Sequence, residues 1–271
     1  MERIFDIINF VIGVVTALIF IANHLGTIKN ERGLLMVRRV IAICVLMVVL
    51  SSVSAFGAVY SQVQSFAGTP NINNTFTFNQ FNTSLGTLTG IQITLTVNSQ
   101  GGIYVLDNDS DSAATGTFEF GAMGSMSSTD VILLNSMFAS IPGNVGAYQT
   151  QTFSLAADNG DGIGNLDSTG PDGMAYIGHS ESGSGTGTVS NMLWSMGAKG
   201  FLGTGTYNIL CNIMQWSNLT STGGVEYSVT PVTASGSVQI SYIYDAIPEP
   251  ATLTILALGM LIPMKKRMKK A

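Results

Sequence analysis

Carboxylates at short, regular spacing are the residues of this chain best suited to chemistry. Asp107, Asp109 and Asp111 alternate with Asn108 and Ser110, directly after the apolar Ile103–Leu106 run. Asp158, Asp161 and Asp167 are spread through a glycine-rich segment, with Asp172 beyond them. Hard cations such as calcium take six to eight oxygens in flexible loops, which Asp, Asn and Gly supply. The six aspartates of the two loops are the candidate ligands, and calcium is the one cofactor the sequence admits. Neither loop follows the EF-hand spacing: Phe118 stands where the first loop needs its bidentate Glu, and Ala157 and Ser168 fill positions one and twelve of the second. The competing reading is a pair of solvated turns, where Asp and Asn are favoured in any case.

Other chemistries are short of parts. Cys211 is the one cysteine beyond Cys44, and its neighbours Leu210 and Ile213 place it in a core. His179 is the one histidine after His24, so a histidine-based metal site is not expected. Gly178-His179-Ser180-Glu181-Ser182 approaches the nucleophile elbow of hydrolases, but Ser182 replaces its last glycine and no histidine follows. That segment reads as a Gly/Ser-rich loop. A glycosidase could run on two carboxylates alone, for which Asp158 and Asp172 would be the pair. The reading that fits the residues best is a non-enzymatic protein.

Charge narrows the partners. Residues 58–250 hold Lys199 as their one basic residue against thirteen acids, a net −12. A surface so poor in Lys and Arg cannot neutralise phosphates, which excludes nucleic acid.

The elements that must position these residues read as strands. Phe76 and Phe78, then Ile91, Ile93, Leu95 and Val97, then Val238, Ile240, Tyr242 and Tyr244 alternate with polar residues. Period two marks half-buried strands with one wet face. Further strands are expected at Ile103–Leu106, Thr117–Phe120, Thr152–Leu155, Gly205–Ile213 and Val225–Thr230, separated by glycine-rich breaks. Thr129–Ile141 fits either a helix or a buried strand, and Asn191–Ala198 fits a short helix carrying Trp194. The expected fold is all-β, an antiparallel β-sandwich of jelly-roll or Ig-like kind, over residues 58–245.

Both ends of the chain read as addresses. From Met36, Arg38-Arg39 leads into the apolar run Val40–Leu50 and then small residues through Ala58. This is the plan of a secretory signal peptide at 36–57, cut after Gly57 or, second, after Ala55. Residues 1–35 form a hydrophobic N-terminal extension, read either as an extra helix or as an over-extended start. At the other end, residues 246–271, Pro248-Glu249-Pro250 precedes the apolar Ala251–Met264 and the basic run Lys265–Lys270. Fourteen helical residues span about 21 Å, short of a ~30 Å hydrocarbon core, so lysine snorkelling must help. The basic tail halts translocation and stays in the cytoplasm.

That C-terminal order of motif, apolar helix and basic tail resembles the PEP-CTERM sorting signal of Gram-negative bacteria that make exopolysaccharide. The resemblance implies export through the Sec translocon, an inner-membrane intermediate held by the C-terminal transmembrane helix, and processing by a membrane-embedded exosortase that recognises Pro248, Glu249 and Pro250. The product would reside at the cell surface or in the extracellular matrix, with extracellular polysaccharide as a partner. Phe81-Asn82-Thr83-Ser84-Leu85-Gly86-Thr87-Leu88-Thr89-Gly90-Ile91, Phe201–Thr206 and Ser237–Tyr244 are similar to the choice-of-anchor E domain family. That likeness would cover most of residues 66–245 and implies a surface module with no catalytic residues to carry over. The function expected is structural or adhesive; the alternative is a calcium-dependent module that binds glycans or proteins.

Overall fold

The computed structural model describes residues 57–160 and 166–247. The signal peptide, the N-terminal extension, Asp161, the Pro248–Pro250 motif and the C-terminal apolar stretch lie outside the described residues. Val59–Tyr244 form one compact unit.

Among the described residues, eleven strands carry it: β1 (Ala58–Gly68), β2 (Ile72–Asn79), β3 (Gly86–Gln100), β4 (Ile103–Asn108), β5 (Ala114–Ser127), β6 (Val145–Leu155), β7 (Gly173–Ile177), β8 (Glu181–Thr188), β9 (Thr206–Ser221), β10 (Val225–Val229) and β11 (Thr233–Ala246). The fold is all-β, built from antiparallel sheets. One four-stranded sheet has the order β1-β11-β3-β8 and the other β2-β9-β5-β6. A third sheet, β10-β4-β7, is made from strands inserted between the long ones.

The alternation seen in the sequence decides which faces meet. Ile91, Ile93, Leu95 and Val97 of β3 are fully buried, as are Val238, Ile240 and Tyr242 of β11. From the second sheet come Phe76 and Phe78 of β2, Phe118 and Phe120 of β5, and Tyr207, Ile209 and Ile213 of β9. They form one apolar cluster between the sheets. A Cβ on Gly124 of β5 would stand 2.7 Å from Val97 and 3.1 Å from Leu95 of β3, so the two sheets touch across the core. Burying each large side chain stabilises by roughly 1.5–3 kcal/mol.

A polar clip joins the sheets within this core. The hydroxyls of Tyr207 and Tyr242 lie 2.8 Å apart, and Tyr242 donates to the Asn79 carbonyl at 2.9 Å. Because the Tyr242 proton is committed to Asn79, Tyr207 is the donor within the pair. Burial pushes both phenols up from their ordinary range, so both stay protonated.

Three segments depart from expectation. Glu181–Gly183, read as part of a loop, opens strand β8. Its inward positions are Gly183, Gly185 and Gly187, where added Cβ atoms would collide with the Gly146 carbonyl, crowd Val145 at 2.7 Å and collide with Ile141. Segment 141–146 therefore packs directly on the β8 backbone, and a strand with no inward side chain carries no hydrophobic signal. Thr129–Ile141 forms neither helix nor long strand; it is a series of turns closed by a Leu134–Ser140 bridge. Asn191–Leu193 is a single 3-10 turn, with Trp194 at its C-cap.

Replacing Gly183 with Ala should lower stability to urea by about 1–3 kcal/mol, the usual cost of overpacking. Thr186→Ala, on the outer face of the same strand, removes only the 2.9 Å contact with Thr94 and should cost about 1 kcal/mol or less. Equal effects would contradict the packing described.

Candidate functional site

The third sheet places the acids. Strand β4 follows β3, β7 precedes β8 and β10 follows β9, so three insertions converge on one end of the sandwich as a cap. In the cap β4 lies between β10 and β7, with Asp107 opposite Gly173 and Glu226. Tyr104 anchors it to the core: its ring stacks on Phe118 at 4.6 Å and on Tyr227 at 5.4 Å. Burial pushes the Tyr104 phenol upward.

The two acidic loops, separate in sequence, form one cluster here. The Asp158 N–H donates to the Ser110 carbonyl at 2.9 Å, and the Asn108 N–H to the Asp172 carbonyl at 3.1 Å. Asp107, fully buried, accepts the Asp167 N–H at 3.0 Å. Asp172, also buried, accepts the backbone N–H of Asn159 at 2.6 Å and its side-chain amide at 3.2 Å. Asp158 takes the Gly160 N–H at 2.8 Å, and Asp167 takes the Thr169 N–H at 3.2 Å. Asp109 is half-buried, and its N–H donates to the Gly224 carbonyl at 2.9 Å. Gly224 has φ +70, and a Cβ there would run into Ser110, so glycine lets the β9–β10 turn approach. Asp111 points to solvent.

Asn108 is the organiser that sequence reasoning passed over. It is buried, its amide donates to the Ser112 carbonyl at 2.9 Å and to the Ala156 carbonyl, and its Oδ1 accepts the Ser110 hydroxyl at 2.8 Å. One side chain thus fastens both loops. Its only sequence signal is its place between two aspartates, which a solvated turn shares.

The arrangement bears on each chemistry raised above. Among the described residues, no group of three or more His, Cys, Asp or Glu side chains is placed to hold a metal ion. Both Asp172 oxygens are engaged by Asn159 and the residue is sealed, which leaves this carboxylate no open face for a sugar. Cys211 is buried and its thiol is pushed up to about 12 by that burial, far from a thiolate nucleophile. His179 is exposed and meets Tyr176 edge-on at 5.8 Å. Beside the cap, an open cleft of about 540 Å³ is lined by Asn98, Gln100, Ser180, Glu181, Ser182 and Thr233 among others. Hydroxyls, amides and the Glu181 carboxylate share that wall with Ala67 and Ala234.

No family model matches the chain, and no curated protein matches it. Among solved structures, the STIV MCP is 14% identical at a TM-score of 0.24, covering 73% of this chain. This chain spans about half of the STIV MCP, 51% of its length. Turnip Yellow Mosaic Virus is 10% identical at a TM-score of 0.17, covering 72% of this chain and 98% of that one. The infectious bursal disease virus Gx strain is 14% identical at 0.10, covering 74% and 47%. Likeness at these scores carries no argument about fold or function.

Asn108→Ala should free the Ser112 and Ala156 carbonyls inside the cap and cost about 1–3 kcal/mol. Hydrogen exchange should quicken at residues 108–112 and 156–160 while β3 and β11 stay protected. Unchanged exchange in both loops would contradict the organising role of Asn108.

Proposed function

We propose that the chain is an exported surface or extracellular-matrix protein, processed by an exosortase, with a structural or adhesive role in a polysaccharide-producing Gram-negative bacterium. The observation that carries this reading is the C-terminal order of Pro248-Glu249-Pro250, apolar Ala251–Met264 and basic Lys265–Lys270. The last strand ends at Ala246, so Ile247 alone separates it from the motif. A folded module directly followed by a sorting signal suits a protein whose anchor is exchanged after export. The alternation of the long strands between the two sheets further suggests a sandwich of the jelly-roll kind, two four-stranded sheets joined by crossing connections. Such a module works through its surface, and its outer faces are rich in hydroxyls and amides. Neutral polysaccharide is the partner that suits this chemistry.

A second reading, a calcium-dependent glycan- or protein-binding module, is favoured by one specific feature. Asp107 and Asp172 are buried in a region whose only basic side chain, Lys199, is engaged elsewhere with Asp130 at 2.9 Å. Buried carboxylates are normally paired with cations or coordinate metals. A calcium ion at this cluster would draw on backbone oxygens and on Asp109, Asp158 or Asp167 besides.

Deleting Pro248–Pro250 should leave full-length, unprocessed protein in the inner membrane. Normal release of the deleted form to the surface would sink the sorting reading. For the second reading, calorimetric titration of the protein with calcium should show saturable heat and a raised melting temperature. No heat at millimolar calcium, with melting unchanged, would end it.

A further inference from the structure

Strand direction locates both ends of the sandwich. The last residues of β1 and β3 and the first residues of β8 and β11 meet around the cleft beside the cap. The start of β1 and the end of β11 therefore lie at the opposite end, where the Ser61 and Ser241 hydroxyls are 2.8 Å apart and Thr89 donates to the Ile243 carbonyl at 3.0 Å. Three loops share that end: 80–85, 128–144 and 189–205. They are tied together by Phe81 N–H to Phe201 O (2.8 Å), Lys199 N–H to Asp130 O (2.9 Å) and Ser190 N–H to Leu134 O (3.0 Å).

These loops display large apolar side chains to solvent. Leu85, Met137, Phe138, Met192 and Met196 are 43%, 81%, 61%, 58% and 50% exposed. Met137 and Phe138 cap a turn in which Asn135 Oδ1 accepts the N–H groups of Met137 and Ala139, at 2.9 and 3.0 Å. Phe138 has φ +58, a costly conformation for a bulky residue, and such strain concentrates where function demands a particular display. Charge runs the other way. Asp107, Asp158, Asp167, Asp172 and Glu226 belong to the cap, whereas these loops hold Asp130, neutralised by Lys199. Asp245, near the end of β11, is the other acid there. At the cap the exposed apolar residues are fewer: Ile103 and Ile177 face each other across β4 and β7, and Tyr227 stands apart on β10.

We propose that this end is a membrane-docking tip, with Met137, Phe138 and their neighbours entering the interfacial layer of a lipid bilayer. The acidic cap then points away from anionic headgroups. Only residues 247–250 separate the end of β11 from the apolar run at Ala251. Those few residues reach about 20 Å at most, which keeps the tip within contact range of the bilayer that takes up the run. Apolar side chains beside an anchor add interfacial affinity and fix orientation. The proposal rests on the reading of the C-terminal apolar run as a membrane segment.

The test uses the full chain in phosphatidylcholine–phosphatidylglycerol liposomes, with Cys44→Ser as background and Cys211 left buried. Bimane is attached at Met137→Cys or, in the cap, at Ser112→Cys, and quenched by lipids carrying nitroxide at headgroup depth. Flotation with the liposomes and several-fold stronger quenching at position 137 than at 112 supports the tip. Flotation with equal quenching overturns the tip and leaves the anchor standing. Failure to float overturns the anchor and the tip together.

Discussion

With one lysine between residues 58 and 247, every carboxylate the sandwich buries has to be answered by an N–H group. Strand amides are not free for this, because the ladders consume them. Loop amides are free, and the acids gather where loops are long. Asp107 takes the amide of Asp167, Asp172 that of Asn159, Asp158 that of Gly160 and Asp167 that of Thr169. The cap is the outcome: three short strands whose connections supply the donors that side-chain cations would otherwise provide. Charge is thereby concentrated at one end of the sandwich, and the sheet faces are left largely to hydroxyls and amides.

The core beneath the cap needs no charge at all. The polar contacts that cross between its sheets are neutral: the Tyr207–Tyr242–Asn79 chain is donor–acceptor matched, and the buried Ser99 hydroxyl of β3 donates to the Ala147 carbonyl of β6 at 2.6 Å. Gln62 makes a comparable bridge at the edge, exchanging two hydrogen bonds with the Asn79 backbone at 2.8 and 2.9 Å. A satisfied neutral contact of this kind adds modestly to stability but excludes misaligned packings, since a shifted sheet would leave buried hydroxyls unpaired. The sandwich thus holds together without a charge pair in its core.

Legibility in the sequence followed the side chains that face the core. Strands β3 and β11 were readable because Ile, Leu, Val and Tyr recur at every second position, and β2, β5 and β9 contained readable stretches for the same reason. Strand β8 was not, because its inward positions are glycines that let another segment lie on its backbone. Strand β1 was not read at all, because Gln62 and Gln64 share the alternation of the buried Phe66 while Val59 and Val63 face solvent. The acidic loops were identifiable from composition, yet their convergence depends on β4 pairing with β7 sixty-odd residues away, which no local pattern encodes. Asp107 and Asp111 look alike in sequence; one is sealed and the other is solvated, because strand β4 ends between them. The readings of the two ends rest on composition and on the Pro248-Glu249-Pro250 motif, and their residues lie outside the described ones.

The central claim is that the working protein is the acidic sandwich, delivered across a membrane and separated from its apolar, basic ends. Intact-mass and terminal-peptide mass spectrometry of the protein isolated from its native host tests this most directly. The account predicts a first residue of Ala58 (or Phe56, if the second cleavage site is used) and a C-terminus at or close to Pro248–Pro250. A native protein that still carries the Val40–Leu50 run and ends at Ala271 would contradict it.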